Sequence, residues 1–309
     1  MIKFNHCYRK VWFIIIDKEN INKVGYLNDN FKLFYLKDIN TKDFEYHHHD
    51  FNKITILISG DVDYLVEGKS YKLKPWDLLF VNSTEIHKPI VNPNQIYERI
   101  VIWINPKYIE EHTIAGDDLF TCFNLSQEKQ SNLLRLNSND IENIKNLLFQ
   151  IKSADSSTDF GHDILRNSLF IQFMVLINRL FLKNDKISNS EDIKCDETIQ
   201  KIFNYINDNL NKDLSIDTIA SKFFMSKYYL MRKFKAQTGS SLHSYIVQKR
   251  LVYAKTLIRQ GYLMGDACIE CGFKDYSSFV RAFKKAYGVS PKNYLDTINE
   301  LEKSPFNIE

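Results

Sequence analysis

Cysteine is scarce in this chain of 309 residues. Cys7, Cys122, Cys195, Cys268 and Cys271 are odd in number and irregular in spacing. That excludes the even, patterned framework of a small disulfide-bonded secreted fold and points to a reducing compartment. Cys268 and Cys271 make one C-x-x-C, with no second pair and no histidine close by, which is too little for a zinc site; both read as core residues. Long hydrophobic runs are missing as well. The run at residues 11–16 (VWFIII) is shorter than a signal-peptide h-region or a membrane span. Residues 169–182 are strongly apolar, but Gln172, Asn178 and Arg179 interrupt them, so they read as a core or interface helix. A cytoplasmic protein with no membrane partner is expected. Neither sign of charge dominates: 41 Lys and Arg stand against 38 Asp and Glu, so the net charge of +3 does not by itself select a partner.

The length suits two domains better than one core, and 44% hydrophobic with 14% aromatic residues fits an ordinary globular protein. Up to about residue 105, short runs rich in Ile, Val, Phe and Tyr follow one another: 11–16, 31–36, 54–59, 62–67, 70–74, 77–81 and 98–104. Turn signals such as Ser59-Gly60-Asp61, Glu67-Gly68-Lys69, Pro75 and Pro93 separate them. Many close-spaced strands imply an antiparallel sandwich or barrel. The period then changes. Residues 138–152 place apolar side chains at 141, 144, 147, 148 and 151, a helical repeat with Ser138 or Asn139 as N-cap, and 162–183 form a second helix. Residues 183–197 are polar, aperiodic and linker-like, and 198 to about 298 read as helical throughout. The expected organisation is α+β in two domains: a β-barrel at 1–105, a helical segment at 106–182 whose apolar surface at 164–182 packs on a second subunit, making it the dimerising segment, or on the barrel itself, a linker at 183–197 and an all-α domain at 198–309.

Charge is segregated along the chain. Residues 214–295 hold 14 Lys and Arg against 4 Asp and Glu, while the remainder holds 27 against 34. A basic block on an otherwise acidic chain is the footprint of a polyanion partner. Within that block one pattern occurs twice, at 214–239 and 265–288: short helix, tight turn, second helix. Ser226 and Asp275 cap the two second helices. With the caps aligned, Leu230 matches Phe279, Arg232 matches Arg281, Phe234 matches Phe283, Lys235 matches Lys284 and Gly239 matches Gly288. The apolar i, i+4 pairs must face each unit's core. The opposite faces carry Lys227, Tyr228, Met231, Arg232 and Lys235 in one unit, and Tyr276, Ser277, Val280, Arg281 and Lys284 in the other. Such faces suit double-stranded DNA: Arg pairs with guanine edges, Lys neutralises phosphate, and Met or Val meets thymine methyls. A helix over 241–260 joins the units. At 1.5 Å per residue this helix of about 19 residues spans about 28 Å, close to the roughly 34 Å between successive major-groove segments on one duplex face.

This segment resembles the DNA-binding domain of the AraC/XylS family of bacterial regulators. The resemblance rests on Ile219-Ala220, Ser226, Leu230-x-Arg232-x-Phe234-Lys235, Thr238-Gly239, Arg250, Ala254-Lys255 and Leu257. The second unit adds Gly272-Phe273, Ser278-x-x-Arg281-x-Phe283-Lys284, Gly288-Val289-Ser290-Pro291 and Tyr294. It departs from the pattern at Phe224, where many members have Gly in the first turn, at Cys268 and Cys271, and at Leu295, where Arg is common. It implies a double helix-turn-helix domain that reads promoter DNA, with RNA polymerase as a further partner and activation as the usual outcome.

Residues 46–89 resemble the cupin barrel of the same regulators: His47, His49, Gly60 and His87 fit its pattern. Lys53 stands in the slot of the cupin glutamate, and Trp76 and Thr84 stand where Gly is common. A charged Lys offers no lone pair and repels a dication, so no metal and no cofactor is expected. The resemblance implies a small-molecule effector, carbohydrate being a common class, held by His47, His49, Lys53 and His87 with Tyr64 and Trp76 stacking on it. The whole then reads as an effector-responsive regulator and homodimer, not an enzyme. The alternatives are a metal-dependent cupin enzyme fused to a DNA-binding domain, and a DNA-binding protein with no ligand.

Overall fold

The computed structural model of the chain describes residue 27 and residues 29–296, except 40–43, 45, 50, 84, 115, 129–130 and 184–191. The expected strand at 11–16, Cys7 and Thr84 lie outside the described residues. The chain divides into two compact units between Lys194 and Cys195.

The first unit is built on β1 (Phe31–Ile39), β2 (Asn52–Ser59), β3 (Val62–Val66), β4 (Lys69–Lys72), β5 (Leu78–Val81), β6 (His87–Val91), β7 (Ile96–Ile104), β8 (Leu133–Leu134) and β9 (Ile193–Cys195). They form two sheets, ordered β1-β7-β2-β5-β8 and β6-β3-β4-β9. The period of two decides which side chains go where. Ile54, Ile56, Leu78, Phe80, Ile100 and Ile102 point away from the second sheet and are buried under helices. Their neighbours Leu57, Leu79, Val81 and Tyr97 turn inward and meet Val62, Tyr64, Val66, Tyr71 and Val91. Each large apolar side chain buried this way contributes about 1.5–3 kcal/mol.

Two strands carry little strand signal in sequence. Pro89 interrupts β6, and the sheet accepts it because β6 is an edge strand. Strand β9 lies in the stretch read as linker. Asp192, just before it, pairs with Lys74 at 2.7 Å and with Arg135, whose guanidinium also holds the buried Asp77 at 2.7 Å. The end of that stretch is therefore fixed to the sheet by strand pairing and ion pairs.

The covering layer is α1 (Pro106–Glu111), α2 (Thr121–Glu128), α3 (Ser138–Asp155) and α4 (His162–Lys183). The cap of α3 is Asn137, one residue earlier than expected, whose side chain accepts from the Asp140 N–H. By length and composition α4 would cross a membrane, but it buries Leu169, Phe170, Phe173, Met174, Ile177 and Phe181 in the core of this unit. Phe170 stacks on Phe31 at 3.8 Å and Phe181 meets Phe80 edge-on at 5.3 Å. The core shared by the sheet, α2 and α3 thus covers Leu169, Phe170, Phe173, Met174, Ile177 and Phe181 of the apolar 164–182 surface. Buried Asn178 is satisfied by the Cys122 N–H (2.7 Å) and the Leu119 carbonyl (2.9 Å).

The second unit contains α5 (Glu197–Asp208), α6 (Ile216–Lys222), α7 (Lys227–Thr238), α8 (Leu242–Arg259), α9 (Met264–Glu270) and α10 (Tyr276–Tyr287). Phe203 of α5, Phe234 of α7 and Tyr245 of α8 pack within 5.6 Å of one another. Phe283 of α10 meets Tyr294 at 5.5 Å. Cys268 and Cys271 are buried free thiols; burial raises both, Cys271 to about 12, so they are unreactive core residues. The α+β, two-domain reading holds.

Candidate functional site

Two helix-turn-helix units flank α8. In the first, Ser226 Oγ accepts from the Tyr229 N–H at 3.2 Å and starts α7; in the second, Asp275 accepts from the Ser278 N–H at 2.7 Å and starts α10. Both helices end on a glycine in the left-handed region, Gly239 and Gly288. Leu230, Phe234, Phe279 and Phe283 are fully buried, as their spacing requires. On the other side, Lys227, Tyr228, Met231, Arg232, Lys235, Tyr276, Ser277, Arg281 and Lys284 are exposed, and Val280 is half-buried. Arg232 lies 5.8 Å over the ring of Tyr228, and Arg281 donates to Ser278 Oγ at 3.3 Å. Lys227 pairs with Asp217 on the surface. Such surface contacts are weak and readily exchanged for a phosphate. Helix α8 packs against α7, α9 and α10. Its 18 residues span about 27 Å.

The turns of the two units differ. Gly272 has φ +90°, and a Cβ there would sit 2.1 Å from the Leu210 carbonyl oxygen and 2.8 Å from Arg250 Nε. Arg250, from α8, ties that region together by donating to the carbonyls of Leu210 (2.9 Å) and Lys212 (2.8 Å). The first unit has Phe224 in its turn, at φ +53° and 98% exposed.

The first unit holds a second cluster. The segment carrying His47 and His49 is drawn to β6 by paired backbone bonds between His47 and His87, at 3.2 and 3.0 Å. The rings of His47 and His49 lie 4.4 and 4.8 Å from that of His87. Lys53, at the start of β2, points into the same space. Its Nζ donates to Tyr64 Oη at 2.9 Å and reaches His87 Nε2 at 2.6 Å. The tautomers follow from the partners. His87 Nδ1 faces the Glu85 carbonyl (2.9 Å) and His49 Nδ1 the Phe51 carbonyl (2.8 Å). Both Nδ1 atoms therefore carry the proton and both Nε2 atoms carry a lone pair. Burial, and then the Lys53 charge, holds both imidazoles well below the usual histidine range. Burial, with Arg99 adding repulsion, lowers Lys53 to about 7.

One ring nitrogen from each of His47, His49 and His87 comes within 4.8 Å of the others, a spacing that three metal ligands could have. The donor set does not fit a resident metal, because the Lys53 amine takes the His87 lone pair and occupies the slot where a carboxylate would add negative charge.

Two family profiles match the chain in order: "AraC-like ligand binding domain" over residues 34–174 and "Helix-turn-helix domain" over residues 219–297. The chain belongs to the AraC/XylS family. The HTH-type transcriptional activator RhaS of Klebsiella pneumoniae (strain 342) is 24% identical over 254 residues, covering 81% of this chain and 87% of the relative. RhaS of Citrobacter koseri is 25% identical over the same shares. Among solved structures, an apo ToxT variant from Vibrio cholerae strain SCE256 aligns over 87% of this chain and 98% of its own at 18% identity, with a TM-score of 0.38. The DNA-binding domain of AdpA in complex with a target DNA aligns over 34% of this chain and 96% of its own at 21% identity, with a TM-score of 0.33.

This AraC/XylS regulator is an effector-responsive, DNA-binding protein. One expected ligand contact is placed elsewhere. Trp76 packs against the outer core under α3, with Lys145 Nζ 4.7 Å over its ring, and not on the histidine cluster. The reason is its position at the tight turn before β5, where φ is +69°. The sequence reading also passed over Arg99, which is buried on β7, bonded to Asp38 at 2.8 Å and stacked 4.1 Å over Tyr97. The available signal was a charged residue in register with inward-facing Leu57.

Proposed function

We propose that this regulator activates transcription from a promoter that its two recognition helices read together, in answer to a small molecule, a carbohydrate in the first instance, held by the barrel cluster. It acts in the cytoplasm, as a homodimer and not as an enzyme, and engages RNA polymerase from the promoter. The observation that carries this reading is the pair of capped helices α7 and α10, whose buried faces are alike and whose outer faces are both cationic. Lys227, Tyr228, Met231, Arg232 and Lys235 contact one groove segment in this reading, and Tyr276, Ser277, Val280, Arg281 and Lys284 the next. Coupling needs only that the effector bind more tightly to the DNA-competent state. Lys53 in place of a carboxylate speaks against metal-dependent catalysis in the barrel.

The test is a gel-shift titration of the full chain on its promoter. Arg232→Glu and Arg281→Glu each weaken binding at least about tenfold, the scale of a lost guanine contact, without changing the melting temperature, since both side chains are exposed. Wild-type affinity falls steeply between 50 and 200 mM salt as counterions are released (about 0.9 log units per log unit of salt for each phosphate). Unchanged affinity in both variants, or a flat salt response, contradicts the assignment.

A further inference from the structure

Lys53 inverts the charge of its slot. The residue is 6% exposed, and its Nζ contacts His87 Nε2 and Tyr64 Oη. An ammonium has three N–H donors, and the third has no partner among the described residues. The acidic groups on the surrounding strands are engaged elsewhere. Asp38 accepts from Arg99. Glu85 accepts from the Asn82 N–H (2.8 Å) and from Asn132 Nδ2 (3.0 Å). Glu67 accepts from the Ile86 N–H (2.8 Å). A buried ammonium with no anion beside it is strongly disfavoured, and a ligand that supplies the anion recovers that free energy. A second group is also unsatisfied. His49 Nε2, a lone-pair acceptor in this tautomer, is buried with no hydrogen-bond partner among the described residues. The cluster opens at His47, its exposed member.

We infer that the barrel takes a small hydroxy-carboxylate, a sugar acid in chemical class, with its carboxylate on Lys53 and a ligand hydroxyl donating to His49 Nε2. The inference rests on the barrel being the effector site and specifies the ligand's charged group. A neutral sugar would leave Lys53 without a counter-ion. A phosphate dianion would call for a second cation, and Arg99 is committed to Asp38.

Calorimetry and thermal shift on the full chain test it, with D-galacturonate and D-gluconate as acids, D-galactose as the neutral probe and D-galactose 6-phosphate as the phosphate. At least one acid binds and raises the melting temperature, tenfold or more tighter than galactose. Lys53→Met weakens that binding at least tenfold, whereas Lys53→Arg, which keeps the charge, retains it within a few-fold. Galactose binding as tightly as the acids, an acid affinity unmoved by Lys53→Met, or the phosphate binding best overturns the inference. If galactose alone shifts both melting temperature and promoter affinity, the effector-site reading stands and the carboxylate falls. If none of the four compounds moves either readout, both fall.

Discussion

A lysine sealed inside a β-barrel costs free energy at every pH at which it stays charged. In the unfolded chain Lys53 titrates near 10.5; in the folded barrel, burial brings it to about 7. Between those values the unfolded state binds more protons than the folded one, so this residue makes stability rise with pH. Lys53→Met removes both the charge and the dependence. At pH 7 the variant is more stable than the wild type by about 1–4 kcal/mol, the range for replacing buried charge with apolar volume. From pH 7 to 9 the wild type regains up to about 1.4 kcal/mol per pH unit relative to it. Urea unfolding at pH 7, 8 and 9 reads the difference, and a gap that stays constant with pH would contradict the buried-amine account. The convergence of His47, His49, Lys53 and His87 was legible in sequence only through the cupin pattern that residues 46–89 resemble. The tautomers and the Lys53–His87 bond were not, since they depend on the carbonyls of Phe51 and Glu85, which no sequence spacing reveals. Trp76 was misplaced for a related reason: a positive φ, invisible in the residue type, turns its ring to the outer face.

Among the elements, those with strong periodicity and side-chain caps were readable, and those defined by their partners were not. Helices α7 and α10 begin at the expected Ser226 and Asp275 because a capping oxygen is a local signal. Strands β8 and β9 are two and three residues long and exist through the neighbours they pair with, so nothing in their own sequence marks them. The two turns show how one element tolerates two solutions. At Gly272 the backbone of Leu210 leaves no room for a methyl group, and the φ of +90° disfavours any side chain. Gly272→Ala should therefore lower stability by about 2–4 kcal/mol, combining backbone strain with a clash against a carbonyl that cannot move cheaply. Phe224 is the converse case. Its ring is in solvent, so its positive φ is strain with little packing in return. Phe224→Gly should raise stability by about 0.5–1 kcal/mol, as relief of left-handed strain outweighs the added entropy of glycine. Chemical denaturation of both variants measures the pair, and equal effects of the same sign would show that the turns are not what distinguishes them.

At the scale of the whole molecule, the question is what remains of the helical layer once the barrel is covered. The inner face of α4 is buried in the core it shares with α2, α3 and the sheet, yet Ile164 is 72% exposed and Leu165 54% exposed. Phe160 in the preceding loop and Phe149 on α3 are also exposed. The ion pair between Asp155 and Arg166, at 2.8 Å, holds the end of α3 against the start of α4, so Phe160, Ile164 and Leu165 belong to one end of the helical pair. Single exposed apolar residues are ordinary, whereas several gathered at one place mark an interaction surface. A two-fold axis would bury the same surface of both copies and would bring four helix-turn-helix units to one promoter. If so, wild-type protein at about 10 μM, tens of times above a sub-micromolar dissociation constant, sediments at twice the 36.5 kDa chain mass. Ile164→Glu with Leu165→Glu sediments as the single chain while keeping its melting temperature, because neither side chain is part of the core. The same double variant should need more protein to occupy the promoter, since each half of the complex then binds alone. A wild type that sediments at 36.5 kDa, or a double variant that remains dimeric, would place the subunit contact elsewhere or remove it.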